Sequence, residues 1–281
     1  MKNEIEIKVI KSNIITCYSP EDAFLTAQVA SEVALTLSKV AGVKTLIIDL
    51  NNINPMIDHF LAIDKKLPIN DKYEVNSRTS LAALVSAIDR GMLTPDVFKK
   101  LVIKHEKYNL DIATGLYDLL LDDKVEKAHY EEIINLASSI YDLVIISTNS
   151  YLKATSTFTA LTKATKVVIV TKDNYTSVRN IMSELSLLRK KVDKDKFNIV
   201  IYENNNGLRK EIMEDMISEY KILGYVENYS SIYKAINEQK IYLDIAPESV
   251  IDSYNKIAAG LGYEVKSVKK GFLQRIKGKV V

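Results

Sequence analysis

Six short, almost wholly apolar runs recur along the chain, and longer segments with helical spacing separate them. The runs cover residues 12–18, 44–49, 143–147, 166–171, 197–202 and 221–225, and the helical segments cover 21–40, 130–140, 175–190 and 250–261. Strands that are apolar along their whole length are buried on both faces, as in parallel sheets covered by helices. The alternation therefore predicts an α/β fold with a mainly parallel, doubly wound sheet flanked by helices.

The chain of 281 residues reads as one α/β domain over residues 1–265, with a mainly helical insertion at about 76–120 and a basic tail at 266–281. Its single cysteine, Cys17, excludes an internal disulfide, and the three histidines show no metal-ligand spacing. No apolar run reaches the length of a membrane-spanning helix, and no signal peptide is evident. We expect a cytoplasmic protein with no metal site and a buried Cys17 thiol.

Three segments stand where a nucleotide-binding α/β protein has its motifs. The turn after the first run reads SPEDAFLTAQVA from Ser19, the second run KTLIIDL contains Asp49, and the third lies in YDLVIIST, residues 141–148. The order and spacing of these motifs resemble the ParA/MinD family of P-loop ATPases, whose loop reads SPKGGVGKTT. This resemblance implies the P-loop NTPase fold for residues 12–281.

The same motifs lack the residues that phosphate chemistry needs. A P-loop uses glycines so that backbone N–H groups can surround phosphate, a lysine for its charge and a hydroxyl for Mg²⁺. The resemblance puts Pro20, Leu25, Thr26 and Ala27 at the four defining positions, Glu21 at the signature lysine, and Ser147 and Asn51 at two family acids. Asp49 alone matches a family carboxylate.

We therefore interpret the loop as a degenerate nucleotide site with no catalytic residues. ATP hydrolysis and a cofactor are not expected, although ATP bound without hydrolysis is an alternative. A simpler interpretation is that Ser19 and Asp22 only cap the helix that follows. The residues of this candidate site are Ser19, Glu21, Asp22, Thr26, Ala27, Asp49 and Ser147.

The tail, KSVKKGFLQRIKGKVV, has six basic and no acidic residues. On a helix, its large apolar side chains form one stripe bordered by Lys and Arg, a pattern typical of helices that lie in a membrane interface. It also resembles the membrane-targeting sequence of MinD. The predicted membrane-binding residues are Lys269, Lys270, Phe272, Leu273, Arg275, Ile276 and Lys277. The alternative is that the tail packs on the protein itself or only increases solubility.

The nucleotide-binding motifs (the Walker motifs) are altered, and the tail has a membrane-binding pattern. This combination resembles the TadZ/CpaE-like branch of the family. That resemblance implies a homodimeric pseudo-ATPase at the inner face of the cell membrane that localises pilus, secretion or cell-pole machinery. Its expected partners are an anionic membrane surface, a second copy and protein components of that machine. The alternative is an active ParA/MinD-type ATPase in DNA partition or cell-division positioning. DNA is not an expected partner, because the basic run at 189–196 contains two aspartates and fits a solvated helix end.

Overall fold

The computed structural model describes residues 13–40, 43–63, 80–105, 107–116, 124–204, 206–227 and 230–263. The predicted tail, 266–281, and parts of the predicted insertion lie outside these residues. Among the residues described, no helix has both the length and the apolar composition needed to cross a bilayer.

The described strands form one eight-stranded sheet with the order β3-β4-β2-β5-β1-β6-β7-β8. All neighbours are parallel except β3 and β4, which are antiparallel. The strands are β1 Asn13–Tyr18, β2 Thr45–Leu50, β3 Ile103–Lys104, β4 Leu110–Ala113, β5 Leu143–Thr148, β6 Lys166–Lys172, β7 Phe197–Glu203 and β8 Lys221–Glu227. The predicted mainly parallel sheet is therefore confirmed.

Helices cover both faces of this sheet, as expected for strands without a solvated face. They are α1 Ala23–Leu37, α2 Ile57–Phe60, α3 Leu81–Asp89, α4 Pro95–Leu101, α5 Lys127–Ile140, α6 Thr155–Lys163, α7 Tyr175–Leu188, α8 Lys210–Met216, α9 Ser231–Asn237, α10 Tyr242–Ile245 and α11 Glu248–Gly260. The four helices predicted from periodicity all form, with ends shifted by a few residues.

Strand β1 lies at the centre of the sheet, between β5 and β6. The chain leaves β1 toward β2 on one side, and later returns to β6 on the other side. Such a reversal opens a crevice beyond the carboxyl ends of the strands, where α/β proteins commonly bind ligands. In this chain, the turn that faces the crevice is the one between β1 and α1.

The predicted insertion is not only helical. Helices α3 and α4 form there, but α4 ends at Leu101, and the strands β3 and β4 follow it. Strand β4 pairs with β2 and thereby extends the main sheet. The sequence missed these strands because β3 has two residues and β4 four, too short for a detectable periodicity.

Helix α1 is enclosed on all sides. Every residue from 25 to 37 is buried, because the helix lies between the sheet and α11. This enclosure includes Glu32, which has no exposed surface and no hydrogen-bond partner for either carboxyl oxygen. Burial raises the pKa of Glu32 to about 8, since the charged form would lose its hydration.

We predict that Glu32 makes the fold less stable in alkaline solution. The contribution of this raised pKa is fully present below the usual value of 4.5 and is lost as pH rises through about 8. Urea unfolding at pH 6 and pH 9 should show a loss of about 3 kcal/mol that Glu32→Gln abolishes. The exposed control Glu132→Gln should keep the wild-type pH dependence. Equal pH dependence in Glu32→Gln and wild type would contradict a buried, uncharged Glu32.

Candidate functional site: the turn between β1 and α1

The turn between β1 and α1 is short. Strand β1 ends at Tyr18 and α1 begins at Ala23, so four residues, 19–22, connect them. Ser19 is buried, and its hydroxyl accepts a long hydrogen bond of 3.4 Å from the Glu21 backbone N–H. The helix thus starts within the segment that the resemblance assigns to the phosphate loop.

The carboxylate of Asp22 occupies the N-terminus of α1. Its Oδ1 accepts the backbone N–H groups of Phe24 at 3.0 Å and Leu25 at 3.3 Å. Its Oδ2 lies 2.9 Å from Nζ of Lys172, at the end of β6. Free N–H groups at a helix N-terminus attract anions. Here the protein's own carboxylate takes these donors, so the predicted capping role of Asp22 is confirmed.

The neighbouring carboxylate, Glu21, is bound to the start of α7. Its Oε2 accepts a hydrogen bond from the Ser177 hydroxyl, and its Oε1 accepts one of 2.8 Å from Nδ2 of Asn180. These bonds tie the β1–α1 turn to the next strand–helix unit. Glu21 thus provides a second negative charge where the family loop has a lysine.

The remaining predicted loop positions are part of helix α1. The hydroxyl of Thr26 donates to the Asp22 carbonyl at 3.2 Å, and the backbone N–H of Thr26 bonds to the same oxygen. Ala27 is fully buried and offers a methyl group where a P-loop has a hydroxyl. Neither residue presents a group that would hold Mg²⁺.

Three further side chains lie in one row across the central strands. The register places Cys17 of β1 beside Ser147 of β5, and Ser147 beside Asp49 of β2. All three residues are fully buried, and burial raises the pKa of the Cys17 thiol to about 12. The Ser147 hydroxyl has no hydrogen-bond partner. The structure therefore brings Ser147 and Asp49 side by side, with a serine at the position where the resemblance expects an acid.

Asp49 organises the loop that follows β2. Its carboxylate accepts backbone N–H groups from Asn51 at 3.0 Å, Met56 at 2.9 Å and Ile57 at 3.1 Å. Burial raises the pKa of Asp49 to about 7, although these three donors act in the opposite direction. The three hydrogen bonds make Asp49 the anchor of residues 51–57. Gly115 packs against Pro55 of the same loop, so closely that a Cβ added at position 115 would lie 2.4 Å from the Pro55 side chain.

A small cleft borders the turn on the β7 side. It has a volume of about 240 Å³ and is lined in part by Lys172, Tyr202 and Asn204. The ring of Phe24 stacks on Tyr233 at 5.4 Å and meets Phe60 edge-on at 5.1 Å. Aromatic contacts thus cover the first turn of α1 on this side.

The residues at this turn do not fit the Mg²⁺–triphosphate group that the P-loop fold implies. Asp22 already takes the helix N–H donors, and Glu21 and Asp22 would repel phosphate oxygens. The Asp49 carboxylate already accepts hydrogen bonds from backbone N–H groups, and the Ser147 hydroxyl carries no charge. In the part of the chain described, no three His, Cys, Asp or Glu side chains are grouped closely enough to hold a metal ion.

The sequence analysis missed Lys172, Ser177 and Asn180. These residues come from β6 and α7, about 150 positions after the turn in the chain. A usable signal existed, because parallel neighbours place their carboxyl ends at one edge of the sheet. The predicted tail residues lie outside the described part of the chain.

No family model and no curated protein matches this chain. Solved structures do resemble it. A ParA family ATPase from Chlorobium tepidum TLS aligns with a TM-score of 0.74 and 17% identity over 89% of this chain and 99% of that one. The MinD septum site-determining protein from Pyrococcus horikoshii OT3, solved with Mg-ADP, gives 0.71 and 16% over 96% and 100%. The MinC:MinD complex from Aquifex aeolicus gives 0.68 and 15% over 90% and 98%. At these identities the likeness shows the fold, and the predicted ParA/MinD-like P-loop fold is confirmed.

We predict that Asp22→Ala weakens the start of α1. Loss of an N-cap carboxylate typically costs about 1 kcal/mol of the free energy of unfolding, because helix N–H groups lose their acceptor. Urea unfolding at pH 7 measures the cost. Asp195→Ala, which removes an exposed carboxylate from a short 3₁₀ turn, is the control. A loss no larger than that of the control would show that Asp22 does not stabilise α1.

Proposed function

We propose that this protein is a ParA/MinD-like pseudo-ATPase that acts as a peripheral membrane localisation or assembly factor. The observation that carries the proposal is the Asp22 carboxylate, which takes the N–H donors of α1 and pairs with Lys172. A helix whose N-terminus already holds an anion has little left to offer a triphosphate. In this proposal the fold serves as a scaffold, and we assign the chain to the TadZ/CpaE-like branch on the resemblance of its altered motifs.

The position of α11, the last described helix, supports a membrane contact on the side of the sheet opposite the β1–α1 turn. Helix α11 ends beside the amino ends of two strands, where Lys221 Nζ donates to the Gly260 carbonyl at 2.6 Å and Lys166 Nζ donates to the Leu261 carbonyl. Tyr263, the last residue that the structure describes, therefore lies near the amino edge of the sheet. A tail that binds anionic lipid from this edge leaves the carboxyl edge accessible to proteins.

Three exposed apolar side chains at the carboxyl edge support a homodimer in this proposal. Ile53, Tyr151 and Tyr175 follow β2, β5 and β6, and their exposed fractions are 67%, 56% and 63%. Aromatic side chains such as Tyr are enriched at protein interfaces, and the cores of interfaces are depleted of charge. We propose that two copies meet through this edge, and that pairing two tails strengthens an otherwise weak membrane contact.

Phosphate release from Mg-ATP tests the pseudo-ATPase proposal. We expect no turnover above background, with or without anionic vesicles, because the lysine described at this turn, Lys172, is paired with Asp22, and the Asp49 carboxylate is held by backbone N–H groups. Asp49→Asn, purified in the same way, should give the same background, which identifies any contaminating activity. Mg²⁺-dependent turnover that Asp49→Asn abolishes would instead identify a working ParA/MinD-type ATPase.

Co-sedimentation with vesicles containing phosphatidylglycerol tests the membrane role. The wild type should sediment with the vesicles and Phe272→Glu should not, because a charge on the apolar stripe prevents its insertion. Leu187→Glu adds the same charge at an exposed leucine of α7 and serves as the control. Sedimentation of Phe272→Glu at the wild-type level would refute the proposed role of the tail.

A further inference from the structure

A large cavity lies at the amino edge of the sheet, far from the β1–α1 turn. Its volume is about 420 Å³, within the range of small-molecule sites. The lining residues come from β2, β3, β4, α4, the end of α5, the β3–β4 connection and the residues just before β2 and β5. They include Lys44, Lys99, Lys104, Asp111 and Tyr141. The crevice described above lies beyond the opposite ends of the strands, so the two sites are separate.

The cavity carries positive charge that the described residues do not neutralise. Lys44, Lys99 and Lys104 are exposed, and none of them has an ion pair with a described acid. By contrast, the nearby Lys107 pairs with Asp244 at 2.6 Å. Lysines crowded around a concave surface without acidic partners raise the local concentration of anions.

Asp111 is the carboxylate in this cavity, and it is already engaged. The buried Tyr141 donates its hydroxyl to Oδ2 of Asp111 at 2.7 Å. Asp111 also stands opposite Lys104 in the β3–β4 ladder. The three lysines therefore exceed the acidic charge that lines the cavity.

The strand register determines the distance between the backbones of Lys44 and Lys104. Lys44 directly precedes Thr45, which pairs with Leu110 of β4, and Lys104 pairs with Asp111 of the same strand. Lys44 and Lys104 are thus two strand spacings apart across the sheet and two residues apart along it, a separation of about 12 Å. Lysine side chains are long and flexible enough to converge on one ligand from that distance.

We propose that this cavity binds a ligand that carries phosphoryl groups with at least two negative charges. The lysines supply the charge, and the Tyr141–Asp111 pair closes the inner wall. Such a group belongs either to a soluble phosphorylated molecule or to a lipid headgroup, since Tyr263, the last described residue, lies near the same edge of the sheet. The proposal does not depend on the function of the degenerate turn or of the tail.

Calorimetric titration of the full-length chain with inorganic pyrophosphate tests the site. We expect saturable binding that weakens at least about tenfold in the variant Lys44→Gln/Lys99→Gln/Lys104→Gln, because each lost ammonium removes a charge-assisted hydrogen bond. The matched control Lys190→Gln/Lys191→Gln/Lys256→Gln removes the same charge from exposed lysines elsewhere and should bind like the wild type. Circular dichroism confirms that each variant is folded.

Two results would overturn the proposal: no saturable binding of pyrophosphate, or equal affinity in the cavity variant and the control. The source of the ligand is decided with vesicles of phosphatidylcholine and phosphatidic acid, in chains that also carry Phe272→Glu. Sedimentation that requires the three cavity lysines identifies a lipid headgroup. Pyrophosphate binding without such sedimentation identifies a soluble ligand.

Discussion

The hydrogen bonds between Asp22 and the first turn of α1 determine what the centre of this fold can do. A helix N-terminus beyond the central strand attracts anions. In this chain the attracted group is a side chain of the turn itself, paired with Lys172. A covalently attached carboxylate is always present at high effective concentration, so a free phosphate competes poorly with it. The change of function class that we propose follows from this replacement.

Contacts within the protein itself support the fold around the β1–α1 turn. Helix α1 is buried between the sheet and α11, and its stability comes from apolar packing along almost its whole length. Asp49 likewise keeps a structural task, since it holds the backbone of residues 51–57. A side chain that matches a family carboxylate can therefore be retained for folding alone, without any part in catalysis.

Much of the fold could be predicted from the sequence, because parallel strands buried on both faces leave a clear apolar pattern. Six of the eight described strands and the four main helices follow from it. Strands β3 and β4 could not be found in this way, since a two-residue edge strand leaves no pattern. At the site, the missing glycines and lysine were evident, as was the capping role of Asp22. The partners of Glu21 were not evident.

The sequence by itself determined the order of the elements and the chemical groups at the β1–α1 turn, because both are local properties of the chain. Tertiary structure alone decided that Lys172 meets Asp22, that Ser177 and Asn180 bind Glu21, and that Lys44 and Lys104 border one cavity. These contacts join residues that are tens to about 150 positions apart. Strand order and register bring them together, and neither is written in any one segment of the chain.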